Sequence, residues 1–394
     1  MNATRGHSKL RALRWSRKLL ALLAGGLLLS LMGEVVMFTT MKANATSFAP
    51  LTSGELDSML KSHTNLCGEA RNYLDALRDL LAKTGHTSHK DWPQTAEASE
   101  ALADIIAGPD DPVFQRVFHR VLAGGGWDKA LEAVPRRAEG SKPWAVLVTG
   151  LNGIRKTSSL YEPWFQEVLA EAMGMEKGDA AVPDLPCGTN SFFRQLDFIV
   201  ATIANEDFRK LYTILGVDDY AAAKEAIFAR YRKVSEMVGL LLVRAARQRR
   251  LNVMAETSGR DLAMYEYIDF AFPEDYQKLV IHFEINDVSF AEQSVAQRMQ
   301  GEMAAGTKAL AELEAGETPE TSAALVAANA GGPYGPEVLQ GVQAASDKVF
   351  QQVWGSGAKR PGWQMARIQV TVKDGEWSVS AHGSSKEHSF SPRA

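Results

Sequence analysis

The chain has 394 residues, of which 45% are apolar and 23% charged, enough for one large domain or two modest ones and unlike a disordered, collagenous or coiled-coil chain. Its formal net charge is −4, yet residues 1–18 hold six basic side chains and no acid, so the rest carries −10 and nucleic acid is not expected as the main partner. Two cysteines, Cys67 and Cys187, make no disulfide framework; one bridge or two buried thiols are both compatible with them.

Behind the basic start, residues 19–38 form a 20-residue apolar segment interrupted only by Glu34. As a helix it spans roughly 30 Å, the thickness of a bilayer core. Eight leucines at about −0.5 kcal/mol each outweigh one acid near the end, and the upstream cations keep the N-terminus cytoplasmic. Residues 1–45 therefore read as a single-pass signal anchor. A cleaved signal or transit peptide, ending near Ala43-Asn44-Ala45 and leading to the secretory pathway or an organelle, is the alternative, and a buried core helix a third.

Residues 46–140 read as helical. Thr52 with Glu55 forms a possible capping box, Leu66, Leu74, Leu77 and Leu81 give an apolar stripe, and Thr95 opens another helix. Asp111-Pro112 reads as an N-cap and first helical residue, and Gly124-Gly125-Gly126 as a stop. The histidines here, His63, His86, His89 and His119, have no metal-ligand spacing.

Residues 144–149, WAVLVT, read as a buried strand, which breaks at Gly150 into a loop ending in Lys156-Thr157-Ser158. A phosphate loop needs glycines so that its amides can turn inward, a Lys for the β/γ-phosphates and a hydroxyl for Mg²⁺. Gly150, Asn152, Gly153, Arg155, Lys156, Thr157 and Ser158 make up the candidate nucleotide site, with Arg155 standing where glycine is usual. An ordinary turn with solvated Arg155 and Lys156 is the competing reading. The next helix should kink or restart at Pro163, which removes a backbone hydrogen bond.

Residues 190–205 and 207–215 read as helices, followed by a long one over about 220–250 capped by Asp219, whose closing arginines suit a solvated helix end. Strands are expected over 251–255, ending in Glu256-Thr257-Ser258-Gly259-Arg260-Asp261, and over 278–285, ending in Asn286-Asp287. His282 is expected to be structural. Short strands separated by long helices imply an α/β protein with a parallel sheet, and the polar clusters fall at the strands' carboxyl ends, where such sheets bind ligands. From Gly301 the chain turns rich in Ala, Glu and Gly. Pro336 opens a helix to about Trp354, Asp374-Gly375 marks a hairpin, and residues 383–394 read as a tail. The domains expected are 1–45, 46–140, 141–305, 306–382 and 383–394.

The pattern over roughly residues 140–305 resembles the zeta-toxin family of P-loop kinases, related to UDP-N-acetylglucosamine kinase. Gly150-Leu151-Asn152-Gly153-Ile154-Arg155-Lys156-Thr157 lies against the family's G-x-P-G-x-G-K-T, with Asn152 for the proline and Arg155 for the last glycine. Asn252-Val253-Met254-Ala255-Glu256-Thr257, with Arg260, resembles a strand ending in an acid and a hydroxyl, and Ser294 to Arg298 is similar to an arginine-bearing helix. The resemblance implies a P-loop NTPase-type sheet and transfer of the ATP γ-phosphate to a hydroxyl of a small acceptor, such as a nucleotide sugar. It implies Lys156 at the β/γ-phosphates, Thr157 at Mg²⁺, Glu256 at Mg²⁺ through water or at the substrate, Asp197 as the catalytic Asp with Arg194 one helical turn before it, a pair that a structural ion pair explains equally, and Arg260 and Arg298 on the transferred charge. A nucleotide-binding pseudokinase blocked by Arg155, and a helical membrane adaptor without nucleotide, are the other readings.

Overall fold

Seven strands form one sheet, in the order β2-β3-β1-β4-β5-β6-β7. They are β1 (Trp144–Thr149), β2 (Ser191–Arg194), β3 (Asn252–Glu256), β4 (Gln277–Ile285), β5 (Trp363–Lys373), β6 (Glu376–Ala381) and β7 (His388–Ser389). The first five run parallel, and β6 and β7 are antiparallel additions at one edge. This is a computed structural model, in which the described residues are 74–390 apart from 86, 176–183, 317–323, 326, 330 and 356–359. The anchor at 19–38, the capping box at Thr52, and Cys67 lie outside the described residues, among which no helix is long and apolar enough to cross a membrane.

Every residue of β1 and β2 is buried, as expected of parallel strands covered on both faces. β1 is central: the chain leaves it for β2 and β3 on one side, then crosses to β4 and β5 on the other. The winding thus changes direction at β1, and the carboxyl end of that strand is where open α/β sheets leave a crevice for ligands.

Among the described residues, five α-helices precede the sheet: α1 (Leu74–Thr84), α2 (Trp92–Ile106), α3 (Pro112–Val117), α4 (His119–Gly124) and α5 (Trp127–Ala133). Asp111 caps α3 as expected, Oδ1 accepting from the amides of Val113 at 2.7 Å and Phe114 at 3.2 Å. The cap of α2 is Asp91, however, and Thr95 sits inside that helix. After β1, α6 (Lys156–Ser159) stops short of Pro163 and the chain resumes as α7 (Phe165–Ala172), the expected restart.

The stretch 190–205 was expected to be one helix; it is strand β2 followed by α8 (Leu196–Ile203). Apolar periodicity cannot separate a four-residue buried strand from a helical turn, and pairing along β3 (Phe193↔Met254) decides the matter. A short helix, α9 (Asn205–Arg209), leads to the 32-residue α10 (Val217–Gln248), which begins after Gly216 and not after Asp219. α2 packs along α10, Ser99 Oγ donating to Met237 O at 2.8 Å, so residues 74–133 are part of the same core.

α11 (Ala263–Ala271) separates β3 from β4, and α12 (Val288–Ala315), capped by Asp287, follows β4. The Ala/Glu/Gly-rich stretch from Gly301 continues α12 to Ala315, and within it Gly306 packs against the Tyr212 ring, where a Cβ would come within 1.9 Å. α13 (Leu339–Trp354) then returns the chain to β5. Because β5 pairs with β4 (Ile285↔Val370), no boundary near 305 divides the sheet. The Asp374-Gly375 turn joins β5 to β6 with φ of 53° and 80°, the left-handed pair that a two-residue hairpin requires. Of the expected tail at 383–394, residues 388–389 form β7 and pair with β6, and residues 391–394 lie outside the described residues.

Candidate functional site

The loop leaving β1 lies against the ends of its neighbours. A Cβ on Gly150 (φ 127°) would stand 2.4 Å from Phe283 O of β4, and one on Gly153 (φ 82°) would stand 2.8 Å from Ala291 O of α12, so both positions require glycine. Among the described residues, the amides of Leu151, Asn152, Gly153 and Ile154 donate to no carbonyl. Arg155 takes the left-handed conformation that glycine would have, with φ 60°. Its exposed side chain runs outward, the guanidinium carbon lying 5.3 Å from the Trp377 ring centroid and 5.2 Å from that of Phe390.

The next residue points the other way. Lys156 is 3% exposed, and its ammonium donates to Gly150 O at 2.8 Å and Leu151 O at 2.6 Å while standing 3.1 Å from Glu256 Oε1. Thr157 Oγ1 donates to the other oxygen, Glu256 Oε2, at 2.7 Å. The strand register accounts for this meeting: Val148 stands beside Glu256, and the Thr257 amide donates to Val148 O at 2.9 Å, so the end of β3 is fastened next to the loop. Ser158 is half-buried in the same helical turn.

Across from the loop, Asp197 opens α8. Burial first, then repulsion by Glu256, pushes its carboxyl up to about 6, against the pull of Lys224, Arg298 and Arg232. Gly332 lies between it and the loop: a Cβ there would be 3.3 Å from Asn152 Nδ2 and 3.4 Å from Asp197 Oδ2. Arg298 donates through Nη2 to Gly332 O at 2.8 Å, and Arg260 donates to Tyr334 Oη at 2.7 Å with its guanidinium 4.7 Å from that ring's centroid. Of the expected residues, Gly150, Asn152, Gly153, Lys156, Thr157, Glu256, Asp197 and Arg298 are therefore linked by contacts around the end of β1. Arg260 is held by Tyr334, and the Arg155 side chain is turned outward.

Arg194 does not partner Asp197 as expected, since it ends strand β2 and lies on no common helix face with it. Its Nη1 donates instead to Glu236 Oε2 of α10 at 2.6 Å, with both side chains buried. Sequence reasoning also missed Lys224, a wholly buried lysine whose ammonium lies 2.7 Å from Glu302 Oε2. The available signal was its spacing, three residues before Ile227 and seven before Tyr231 on the apolar stripe of α10. His282 is structural, as expected. Its ring stacks on Phe350 at 4.0 Å, Nδ1 is 2.8 Å from Thr149 Oγ1, and burial, Arg367 and Lys156 push it down to about 3, which keeps it neutral. Beside it, at the carboxyl ends of β4 and β5, is a cavity of about 550 Å³ lined in part by Glu284, Asn286, Asp347 and Gln369.

Among the described residues there is no cluster of three or more His, Cys, Asp or Glu suited to a metal. One hydroxyl and one carboxylate, from Thr157 and Glu256, are the donors a Mg²⁺ ion takes from protein when phosphates and water complete its shell. The unpaired loop amides and the buried ammonium complement anionic oxygens, so this donor set fits a magnesium nucleotide. Comparison with known protein families, curated proteins and solved structures gave no match to this chain.

Proposed function

We propose that this chain is an ATP-dependent phosphotransferase, a P-loop kinase that passes the γ-phosphoryl group of ATP to a hydroxyl of a small acceptor. The observation that carries the reading is the sharing of Glu256 by Lys156 and Thr157: the loop's cation and hydroxyl meet one carboxylate at the end of the adjacent strand. A nucleotide sugar is the acceptor class that the zeta-toxin resemblance implies. Anchoring to a membrane through residues 19–38 belongs to the same proposal, with a cleaved leader as its alternative.

In this reading the amides of residues 151–154 hold phosphate oxygens, and Lys156 exchanges the carbonyls of Gly150 and Leu151 for the β/γ-phosphates. Thr157 and Glu256 would hold Mg²⁺, which when bound would neutralise phosphate charge. Asp197 takes the proton of the acceptor hydroxyl as that oxygen bonds to the γ-phosphorus and the bond to the ADP oxygen breaks. A carboxyl at about 6 suits this role, being ionised at neutral pH yet basic enough to receive a proton. Arg298, and Arg260 on release from Tyr334, stabilise charge on the transferred group. The test is isotopic: the full chain is incubated with γ-labelled Mg-ATP and candidate sugars and nucleotide sugars. Label appearing in an acceptor, and lost in Asp197→Asn, supports transfer. Binding of ATP with no transfer to any acceptor or to water would point to the pseudokinase instead.

A further inference from the structure

The cation at position 155 rests on the last strands of the chain. Building on the nucleotide reading above, we propose that Trp377 and Phe390 are positioning residues, an aromatic clamp that holds the Arg155 guanidinium outside the phosphate loop and thereby lets a loop without its usual glycine accept a nucleotide. The two rings lie 5.3 Å and 5.2 Å from the guanidinium carbon, so they flank a single group.

The clamp is itself fastened to the body of the protein. Trp377 of β6 meets Phe290 of α12 edge-on at 6.3 Å, and Phe390 meets Trp164 edge-on at 6.0 Å. Trp164 in turn stacks on His388 of β7 at 5.2 Å, and Lys386 lies 2.7 Å from Glu167 of α7. These contacts fix the C-terminal strands against the two helices that flank the loop. The backbone at Arg155 already has a glycine's conformation, so only the side chain distinguishes this loop from one with glycine there. Were that side chain turned into the loop, the Glu256 carboxylate held by Lys156 and Thr157 would attract it. A guanidinium that reached that carboxylate would displace Lys156 and Thr157 and cover the loop amides.

The test is Mg-ATP affinity of the full chain, measured by calorimetry with the melting temperature recorded alongside. Trp377→Ala/Phe390→Ala should bind about tenfold more weakly than the parent, whereas the ring-preserving Trp377→Phe and Phe390→Tyr should bind as the parent does. Arg155→Gly alone should change affinity by less than about twofold, and adding it to the double variant should restore binding without restoring the melting temperature. Parent-like affinity in the double variant, or a triple variant as weak as the double, overturns the clamp. Should the double variant be too unstable to assay, Arg155→Gly alone decides: a gain above about tenfold means the guanidinium already obstructs the loop, and the clamp is wrong. A parent and an Arg155→Gly variant that both ignore Mg-ATP would instead remove the nucleotide reading on which the clamp rests.

Discussion

Glu236 meets the end of β2 through Arg194, Asp197 lies in the first turn of α8, and the two have opposite fates. Burial raises both carboxyls. At Glu236 the guanidiniums of Arg194 and Arg232 overcome it, hydrogen-bonded at 2.6 Å and 2.9 Å, and hold the group at about 2. At Asp197 no hydrogen bond or ion pair among the described residues does the same. The cation that pulls on it most, the Lys224 ammonium, is committed to Glu302, and the carboxyl stays near 6. The pair teaches that desolvation alone does not decide what a buried acid is for. Direct hydrogen bonding to a cation makes Glu236 a fixed strut, and its absence leaves Asp197 able to exchange a proton near neutrality.

The largest effect should come from breaking the strut. Arg194→Met strands a wholly buried Glu236 with only the partly exposed Arg232, and denaturant unfolding should show a loss of about 3–5 kcal/mol. A loss under about 1 kcal/mol would mean that the two carboxylates are not as different as argued. Asp197→Asn should leave the fold intact and lower phosphoryl transfer about a thousandfold. Its effect on stability has the opposite sign to that of breaking the strut. The native carboxyl, near 6, binds its proton more tightly than the unfolded one at 3.8, so Asp197 costs stability as pH rises from about 4 to 6, and the full cost remains above 6. Asp197→Asn should therefore melt a few degrees higher than the parent at pH 7 and level with it at pH 4. For the same reason, transfer by the parent should rise with pH through about 6.

A finer change tests what sets Asp197. Replacing the neighbouring pair together, Lys224→Met with Glu302→Gln, removes the strongest pull on the carboxyl without stranding a buried charge, and the midpoint of the pH–rate profile should move above 6. A midpoint that stays or falls would show that Lys224 does not govern it. The smallest effect is expected at Thr157→Val, where the Mg²⁺ concentration giving half-maximal transfer should rise about tenfold with little change in stability. An unchanged requirement would remove Thr157 from the metal.

The strands β1, β3 and β4 were legible in the sequence because each is an apolar run that ends in a polar cluster, and the same clusters marked the loop, Glu256 and Asp287. Local turn chemistry likewise gave the Asp374-Gly375 hairpin. What it could not give was the partner of β5, a strand some 80 residues earlier, because nothing in a hairpin says which sheet it joins. β2 was hidden by its brevity, and with it the true partner of Arg194. Lys224 left a signal in its place on the apolar stripe of α10, whereas Gly332 is visible only once the segment before α13 is brought to the loop. Asp197 was singled out by its place after the loop helix; the backbone that separates it from Arg194 was not foreseen.

The most direct test is a calorimetric titration of the full chain with Mg-ATP, with Lys156→Ala alongside. The loop as described should give saturable binding at one site in the parent and about a hundredfold weaker binding in the variant, because removing the ammonium leaves the β/γ-phosphates without their buried cation. Equal affinity in the two proteins, or no binding by the parent, would contradict a phosphate-holding loop at the end of β1.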